Sequence, residues 1–134
     1  MRIEVGDIIP GIGIGEYLLG MKKNSLLEKI GNDYSERRVG QDESVIIIEN
    51  AKIWLTKEGI VRQIAVTEGF SGSYKKCVTI GTTMQTIKDY FGAYEYVDYT
   101  YNILGVDGMC FELKDIEEWN ELTAPIEWIF VFIN

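Results

Sequence analysis

The sequence contains two similar stretches 61 residues apart, LGMKKNSLLEKIG at residues 19–31 and IGTTMQTIKDYFG at residues 80–92. In each stretch an apolar residue precedes a glycine, a short amphipathic segment follows, and a second glycine ends it. An internal repeat constrains the architecture of a small protein more strongly than any single motif. The sequence therefore predicts one structural unit that is used twice.

Each stretch predicts a short helix. In the second copy Met84, Ile87 and Phe91 lie at positions i, i+3 and i+7, and the following glycine is a natural helix stop. Thr82 and Gln85 have the spacing of a capping box, which favours a helix that starts near residue 82. Helices of about two to three turns are not stable alone, so we expect both to pack against a sheet.

Segments rich in branched and aromatic residues follow each predicted helix and favour antiparallel strands. They are residues 45–48, 52–56 and 60–66 after the first helix, and residues 94–103, 109–113 and 126–133 after the second. The repeat continues into these strands, because residues 53–55 correspond to 110–113 and residues 63–66 to 128–131. Each unit is therefore predicted to be a helix followed by about three strands.

These patterns predict an α+β fold in which two tandem helix-plus-antiparallel-strand repeats form one sheet, with the short helices packed on one face. The 134 residues are enough for a single domain with a real core, but not for two independent ones. We expect one domain over residues 1–134, with the first repeat at about 11–67 and the second at about 72–134.

The composition excludes several classes of protein. No run of about 18 or more apolar residues exists that could form a transmembrane helix. The first residues include acids where a signal peptide has an apolar run, so we expect a cytoplasmic protein that does not bind membranes.

The sequence also lacks the residue patterns of common catalytic and cofactor sites. It has no histidine, which removes the commonest general base and metal ligand. Cys77 and Cys110 are too far apart to form a zinc-ligand pair, and two thiols are favoured over a disulfide. The glycines of residues 11–15 do not match a dinucleotide fingerprint, and no calcium-loop pattern is present. We therefore expect no catalytic residues, no metal site, no cofactor and no enzyme activity.

The net charge of −8 is unevenly distributed along the chain. Residues 1–67 hold 10 acids and 9 bases, whereas residues 68–134 hold 11 acids and 4 bases. An acidic surface repels nucleic acid and anionic membranes, and it favours a basic partner. The alternative, that the charge serves only solubility, stays open at this point.

The stretch YEYVDYTYNI at residues 94–103 alternates with the period of two that is typical of a strand. Read as one strand, it places Val97, Tyr99, Tyr101 and Ile103 on the core face. The opposite face, left open because the helices cover only one side, would present Tyr94, Tyr96, Asp98, Thr100 and Asn102. Tyrosines are favoured at protein interfaces, so we predict that Tyr94 and Tyr96 contact a partner and that Asp98 steers it. Simple cross-strand packing is the alternative.

A second candidate surface is the acidic connection at residues 115–122. Charged side chains there could steer a partner, and the central tryptophan could supply a binding hot spot. The predicted partner-binding residues of this region and the following strand are Glu117, Glu118, Trp119, Glu121 and Glu127. Alternatively, Ile116, Trp119 and Leu122 form the buried side of a short helical turn, and the acids are its solvated face.

The repeated pattern of an apolar residue, a glycine, a short helix ending in glycine and then strands resembles the tandem-repeat fold of the beta-lactamase inhibitor protein. It is also similar to lipoproteins of the outer-membrane assembly machinery and to small immunity proteins of bacterial polymorphic-toxin and contact-dependent inhibition systems. In such families the second residue after the first glycine is usually Ser or Thr, which Thr83 matches and Lys22 does not. The lipoproteins have a signal and a lipidated cysteine near the N-terminus, which this sequence lacks. The inhibitor and immunity branch therefore fits better.

The resemblance implies a protein that blocks an enzyme by covering it, often with an open sheet face. Its expected partner is a cognate toxin protein of the nuclease type with a basic surface. Two alternatives remain from the sequence: a small-molecule-binding domain, and a homo-oligomer whose tyrosine face is buried in a homodimer.

Overall fold

The structure, a computed structural model, describes residues 1–133, in which two helices and eleven strands are present. The helices are α1 (Lys23–Ile30) and α2 (Met84–Phe91). The strands before α2 are β1 (Ile8–Ile9), β2 (Gly13–Ile14), β3 (Tyr17–Leu18), β4 (Ser35–Val39), β5 (Glu43–Ile48), β6 (Ala51–Leu55) and β7 (Val61–Val66). The strands after α2 are β8 (Tyr94–Val97), β9 (Thr100–Ile103), β10 (Met109–Leu113) and β11 (Ile126–Phe132).

Both predicted helices are confirmed, and they match in length and position. Each has 8 residues, and α2 begins 61 residues after α1, the spacing of the sequence repeat. Both end at a glycine with positive φ, Gly31 at 71° and Gly92 at 88°, a conformation that glycine adopts without a steric cost.

The start of the second helix differs from the capping-box prediction. The N-cap is Thr83, whose side chain accepts a hydrogen bond from the backbone N–H of Thr86 at 3.4 Å. The Thr82 hydroxyl oxygen instead accepts a bond from the Thr79 N–H at 3.0 Å, in the preceding turn. Lys22 is the N-cap of α1 and makes no side-chain cap bond, so only the second helix is capped in this way.

Eight antiparallel strands form the main sheet in the order β4-β5-β6-β7-β11-β10-β9-β8. Each helix is followed by a four-stranded meander, and the two meanders meet at β7 and β11. At this junction Ala65 pairs with Phe130, its own counterpart in the repeat, while Ile64 pairs with Val131. The two units are therefore related by a pseudo-two-fold axis that passes between β7 and β11.

Local irregularities repeat as well. A register shift lies between Trp54 and Leu55 where β6 meets β7, and another lies between Glu112 and Leu113 where β10 meets β11. The extra residue at these two bulges is Arg62 on β7 and Glu127 on β11. The duplication thus extends from the helix to the details of strand pairing.

The structure corrects three details of the predicted fold. Each unit has four strands rather than about three. The additional strand of the first unit, β4 (SERRV), is exposed and has no apolar alternation that would mark it as a strand. Residues 94–103 form a hairpin instead of one strand. The glycine-spaced segment near the N-terminus forms a small separate sheet, with the order β1-β2-β3, in addition to the main one.

One cluster of buried side chains runs along one face of the main sheet through both units. It contains Leu26 from α1 and Ile87 from α2, together with Ile53 and Phe111 from equivalent strands. The small sheet adds Ile14 to the same cluster. Both helices therefore pack on the same face of the main sheet, as predicted. Neither helix of the described chain is long and apolar enough to cross a membrane.

Candidate functional site

The face of the main sheet opposite the core cluster contains a group of aromatic side chains, which we call the aromatic face: Trp54, Trp128 and Phe130. The ring centroids of Trp54 and Phe130 are 6.1 Å apart, and those of Trp128 and Phe130 are 6.4 Å apart. All three side chains are half-buried and alternate along their strands with fully buried aliphatic residues. They lie at the centre of the sheet, where the two units meet.

Charged residues border the aromatic face. The Lys52 Nζ lies 5.1 Å from the centroid of the Trp128 ring, a cation–π geometry. Burial, and secondarily the nearby Glu127 carboxylate, raise the pKa of Glu112, which the Lys52 ammonium partly offsets. Glu112 and Glu127 therefore place two like charges at this edge of the aromatic face.

The tyrosine-rich stretch lies elsewhere than predicted. Asp98 and Tyr99 have φ values of 51° and 69°, and they form the two-residue turn between β8 and β9. Positive φ at both central residues is the mark of the type I′ turn that suits a twisted hairpin. The turn was not predicted, because the tyrosines alternate across it without interruption and because it contains neither the glycine nor the asparagine that usually marks a turn.

The hairpin changes which side chains share a face. Tyr94 pairs with Ile103 and Tyr96 with Tyr101, so both predicted contact tyrosines lie on the same face as the core cluster. The prediction that Tyr94 and Tyr96 occupy the open face is therefore wrong. Thr100 and Asn102 do lie on the face opposite the core cluster, as predicted.

The predicted core positions of the stretch divide equally. Tyr101 and Ile103 are buried, as predicted. Val97 and Tyr99, predicted to face the core, are 46% and 86% exposed because the chain reverses at residues 98–99.

Two of these tyrosines hold a carboxylate of the acidic connection. The Tyr94 hydroxyl donates a hydrogen bond to Oε1 of Glu121, and the Tyr101 hydroxyl donates one to Oε2 at 3.2 Å. The bond to Glu121 is the main cause that raises the pKa of Tyr94 to about 12. Burial, followed by the Glu121 charge, raises the pKa of Tyr101 to about 12. The protonated hydroxyls are therefore strongly favoured as donors.

A cleft of about 520 Å³, which we call the tyrosine cleft, opens beside this network. Four aromatic residues, two acidic residues and one leucine line it: Tyr96, Tyr99, Tyr101, Trp119, Glu112, Glu121 and Leu113. The rings of Tyr96 and Tyr101 lie in contact, with centroids 4.7 Å apart. Three elements supply this lining: the β8–β9 hairpin, the end of β10 and the connection to β11.

The acidic connection is irregular and does not form the alternative helical turn. Trp119 is 47% exposed and Ile116 is exposed as well, while Leu122 is half-buried against the core. The backbone carbonyl of Leu122 accepts a hydrogen bond from the Gln85 N–H at 3.2 Å, which fastens the connection to α2. Trp119 therefore presents its ring at the surface.

The predicted site residues fall into three places. Tyr96, Trp119 and Glu121 line the tyrosine cleft, and Tyr94 supports it through Glu121. Asp98 is exposed in the hairpin turn, and Glu117 and Glu118 are exposed beside Trp119 on the connection. Glu127 lies apart, at the bulge near the aromatic face.

Sequence reasoning missed the aromatic face, together with Tyr99 and Tyr101 as cleft residues. A signal for the aromatic face was present, since Trp54, Trp128 and Phe130 alternate with Ile53, Ile129 and Val131. This pattern marks two differently packed faces on each strand. The positions of Tyr99 and Tyr101 depend on the turn, which the residue types did not reveal.

The ion pairs are distributed unequally between the two halves of the chain. In the described part of the chain all five ion pairs join residues of the first half. They are the N-terminal amine with Asp33, Arg2 with Glu49, Lys23 with Glu36, Arg38 with Asp42, and Arg62 with Glu43. Between residues 68 and 133 no ion pair is present. The carboxylates of residues 68–133 therefore form no ion pair within the described chain, and only the Lys52 ammonium acts on one of them, Glu112, from a distance.

The structure assigns no metal-binding cluster of His, Cys, Asp or Glu within residues 1–133. Cys77 and Cys110 are free thiols, and burial raises the pKa of Cys110 to about 11. No protein-family model matches the chain, and neither a curated protein nor a solved structure matches it.

Proposed function

We propose that the protein is a cytoplasmic immunity protein that binds a cognate toxin with a basic surface, of the nuclease type, and inhibits it by covering it. The observation that carries this proposal is the unpaired acidic charge of the second half, which lies beside exposed aromatic rings. Aromatic anchors surrounded by charges that face outward are typical of protein interfaces. The resemblance of the repeat to the inhibitor and immunity families supports the same assignment.

The charge distribution favours a protein partner over a nucleic acid or an anionic membrane. Beyond residue 94 the chain has nine acids and one base, and none of these acids forms an ion pair within the described residues. Such a surface repels phosphate groups and accelerates the approach of a basic protein. A toxin that itself binds nucleic acid has a surface of the complementary sign.

Co-expression with the product of the neighbouring reading frame tests the proposal. We expect the two proteins to purify as a complex, and we expect cells that express both to survive the toxin. If the neighbouring product neither binds nor harms the cell, the proposal is wrong. A dimer in dilute solution without any such complex would favour the homo-oligomer instead.

Matched variants test which surface binds. Trp128→Ala on the aromatic face is expected to weaken the complex at least tenfold, since buried aromatic anchors dominate interfaces. Tyr90→Ala is the control, because Tyr90 is 73% exposed on α2 and lines neither the aromatic face nor the tyrosine cleft. Equal effects of the two variants would contradict a role of the aromatic face.

The acidic connection is tested by charge reversal. Glu117→Lys combined with Glu118→Lys should slow association about tenfold at low salt and reduce its salt dependence. Glu16→Lys with Glu28→Lys makes the same change of net charge at exposed positions of the first half. If both double variants slow association equally, net charge alone steers the partner and the connection has no special role.

A further inference from the structure

We propose that the tyrosine cleft is a binding site for a guanidinium group, and, resting on the proposed function, that its natural occupant is an arginine side chain of the toxin. The cleft combines four aromatic rings with a carboxylate whose two oxygens are held in a fixed orientation. It lies in the half of the chain whose acids form no ion pair within the described residues.

The hydrogen bonds of Glu121 define the chemistry of the site. Each carboxylate oxygen accepts one tyrosine hydroxyl, Oε1 from Tyr94 and Oε2 from Tyr101. A carboxylate has about four lone-pair positions, so each oxygen retains one that is free. Two adjacent free positions are what the parallel N–H groups of a guanidinium bind. The hydroxyl donors are neutral and so do not compensate a carboxylate charge, and within residues 1–133 Glu121 has no ion-pair partner.

The aromatic rings suit the same ligand. Tyr96, Tyr99 and Trp119 line the cleft beside Glu121, and the planar guanidinium stacks on aromatic faces. A compact ammonium would also be attracted, but it offers no planar surface and no parallel pair of donors. An anionic ligand such as a phosphate would be repelled by Glu121. The combination therefore selects a guanidinium.

The backbone at Tyr99 is an independent indication. Its φ of 69° lies in the left-handed region, where an aromatic residue is strained and glycine is preferred. The hairpin nevertheless has a tyrosine there, and its ring lines the cleft. Strained residues of this kind concentrate at functional sites.

Titration of the isolated protein with N-methylguanidinium tests the site without the toxin. We expect the indole N–H resonance of Trp119 to shift, with a Kd of about 1–10 mM, as for one small cation in an open site. N-methylurea has nearly the same shape without the charge, so it should cause no comparable shift. Equal shifts with both compounds would overturn the proposal.

Two variants with one matched control sharpen the test. Glu121→Gln should weaken N-methylguanidinium binding about tenfold, because it removes the charge and one acceptor. Glu117→Gln removes the same charge from the same connection outside the cleft and should leave Kd within about twofold. If Glu121→Gln disturbs the fold, Trp119→Ala serves instead, since it leaves both tyrosine hydrogen bonds intact. Binding should then weaken about threefold or more, followed through the tyrosine ring resonances.

Binding experiments with the toxin distinguish a failure of the guanidinium site from a failure of the immunity function. If the toxin binds while N-methylguanidinium does not, and Glu121→Gln leaves the complex unchanged, the guanidinium site is wrong and the immunity function stands. If N-methylguanidinium binds as expected but the toxin does not, the site stands and its assignment to a toxin arginine is wrong.

Discussion

The two halves of this protein have the same helix and strand arrangement, but they differ in whether their charged side chains form ion pairs. The bulge on β7 places Arg62 in an ion pair with Glu43 at 2.8 Å, whereas the equivalent bulge on β11 places Glu127 near Glu112, a like charge. Similarly, Glu36 accepts a bond from Lys23 at 2.9 Å, while Tyr94 and Tyr101 hold Glu121 without neutralising it.

This difference indicates that the two copies of a duplicated fold can have the same architecture and different surface properties. The first half pairs five of its ten acids in ion pairs, and its ten acids and nine bases leave a net charge of only −1. The second half keeps the same strand pairing, but its acids form no ion pair within the described residues, which is the basis of the interaction we propose with a basic partner. The repeat therefore determines the architecture, and the departures from the repeat mark the candidate interface.

The largest effects should come from equivalent core positions. Phe111→Ala is expected to cost about 3–5 kcal/mol and Ile53→Ala about 2–5 kcal/mol, because both side chains are fully buried on paired strands of the central sheet. Chemical denaturation should show one transition for each variant, since the β7–β11 pair joins the halves. If Phe111→Ala melts the second half while the first stays folded, the halves are separate cooperative units.

The charge networks of the two halves should differ in strength. A double-mutant cycle of Tyr94→Phe and Glu121→Gln is expected to give a coupling of about 1.5 kcal/mol, as for a hydrogen bond to a charged group. The cycle of Lys23→Met and Glu36→Gln should give about 0.5 kcal/mol or less and should weaken with salt, as for a surface ion pair. Equal coupling energies in the two cycles would show that the charge networks of the two halves do not differ in strength.

The same network predicts a pH dependence. The folded-state pKa of Tyr94 and Tyr101 is about 12, above the ordinary value of 10, so the folded protein retains these two protons longer than the unfolded chain. Their stabilising contribution is therefore complete below pH 10 and is lost as the pH rises towards 12. Absorbance titration should show at least three late tyrosines, because burial also raises the pKa of Tyr17. Glu121→Gln should reduce this number, since it brings the pKa of Tyr94 back towards 10. An unchanged number of late tyrosines in this variant would contradict the assigned cause.

The smallest effects concern the helix caps. Thr83→Ala should cost about 1 kcal/mol, because it removes the bond to the Thr86 N–H. Lys22→Thr should stabilise the protein by about 0.5 kcal/mol by supplying the cap that the first helix lacks. Thermal denaturation can measure both, and a destabilised Lys22→Thr protein would mean that the first helix depends on the lysine itself.

The sequence was sufficient for the architecture wherever the two copies agree. The helices, their glycine stops and the strands at residues 63–66 and 128–131 follow from patterns that occur twice. That these two strands pair with each other at the centre of the sheet was not predicted. The polar β4 has no such signal, because a strand exposed on both sides needs no apolar alternation.

The candidate site was less predictable because it depends on chain reversal. Tyr96, Trp119 and Glu121 could be named from the sequence, but not that they line one cleft. The Asp98–Tyr99 turn decides which face each tyrosine occupies, and it has a tyrosine at the position where such turns usually have a glycine. Glu121 and Tyr94 form a hydrogen bond although they are 27 positions apart in the sequence, and local periodicity does not predict a contact at such a separation.

The strand order has one more consequence, for how another chain can approach the sheet. Its two outer strands, β4 and β8, are the only members of the eight with an unpaired side within the described chain. Glu36, Arg37 and Arg38 fill the middle of β4, and β8 has only four residues, which include Glu95. Charged or very short outer strands discourage the addition of a further strand and so protect against edge-to-edge aggregation. We therefore expect a partner protein to contact the faces and loops of this sheet and not to add a strand at its edges.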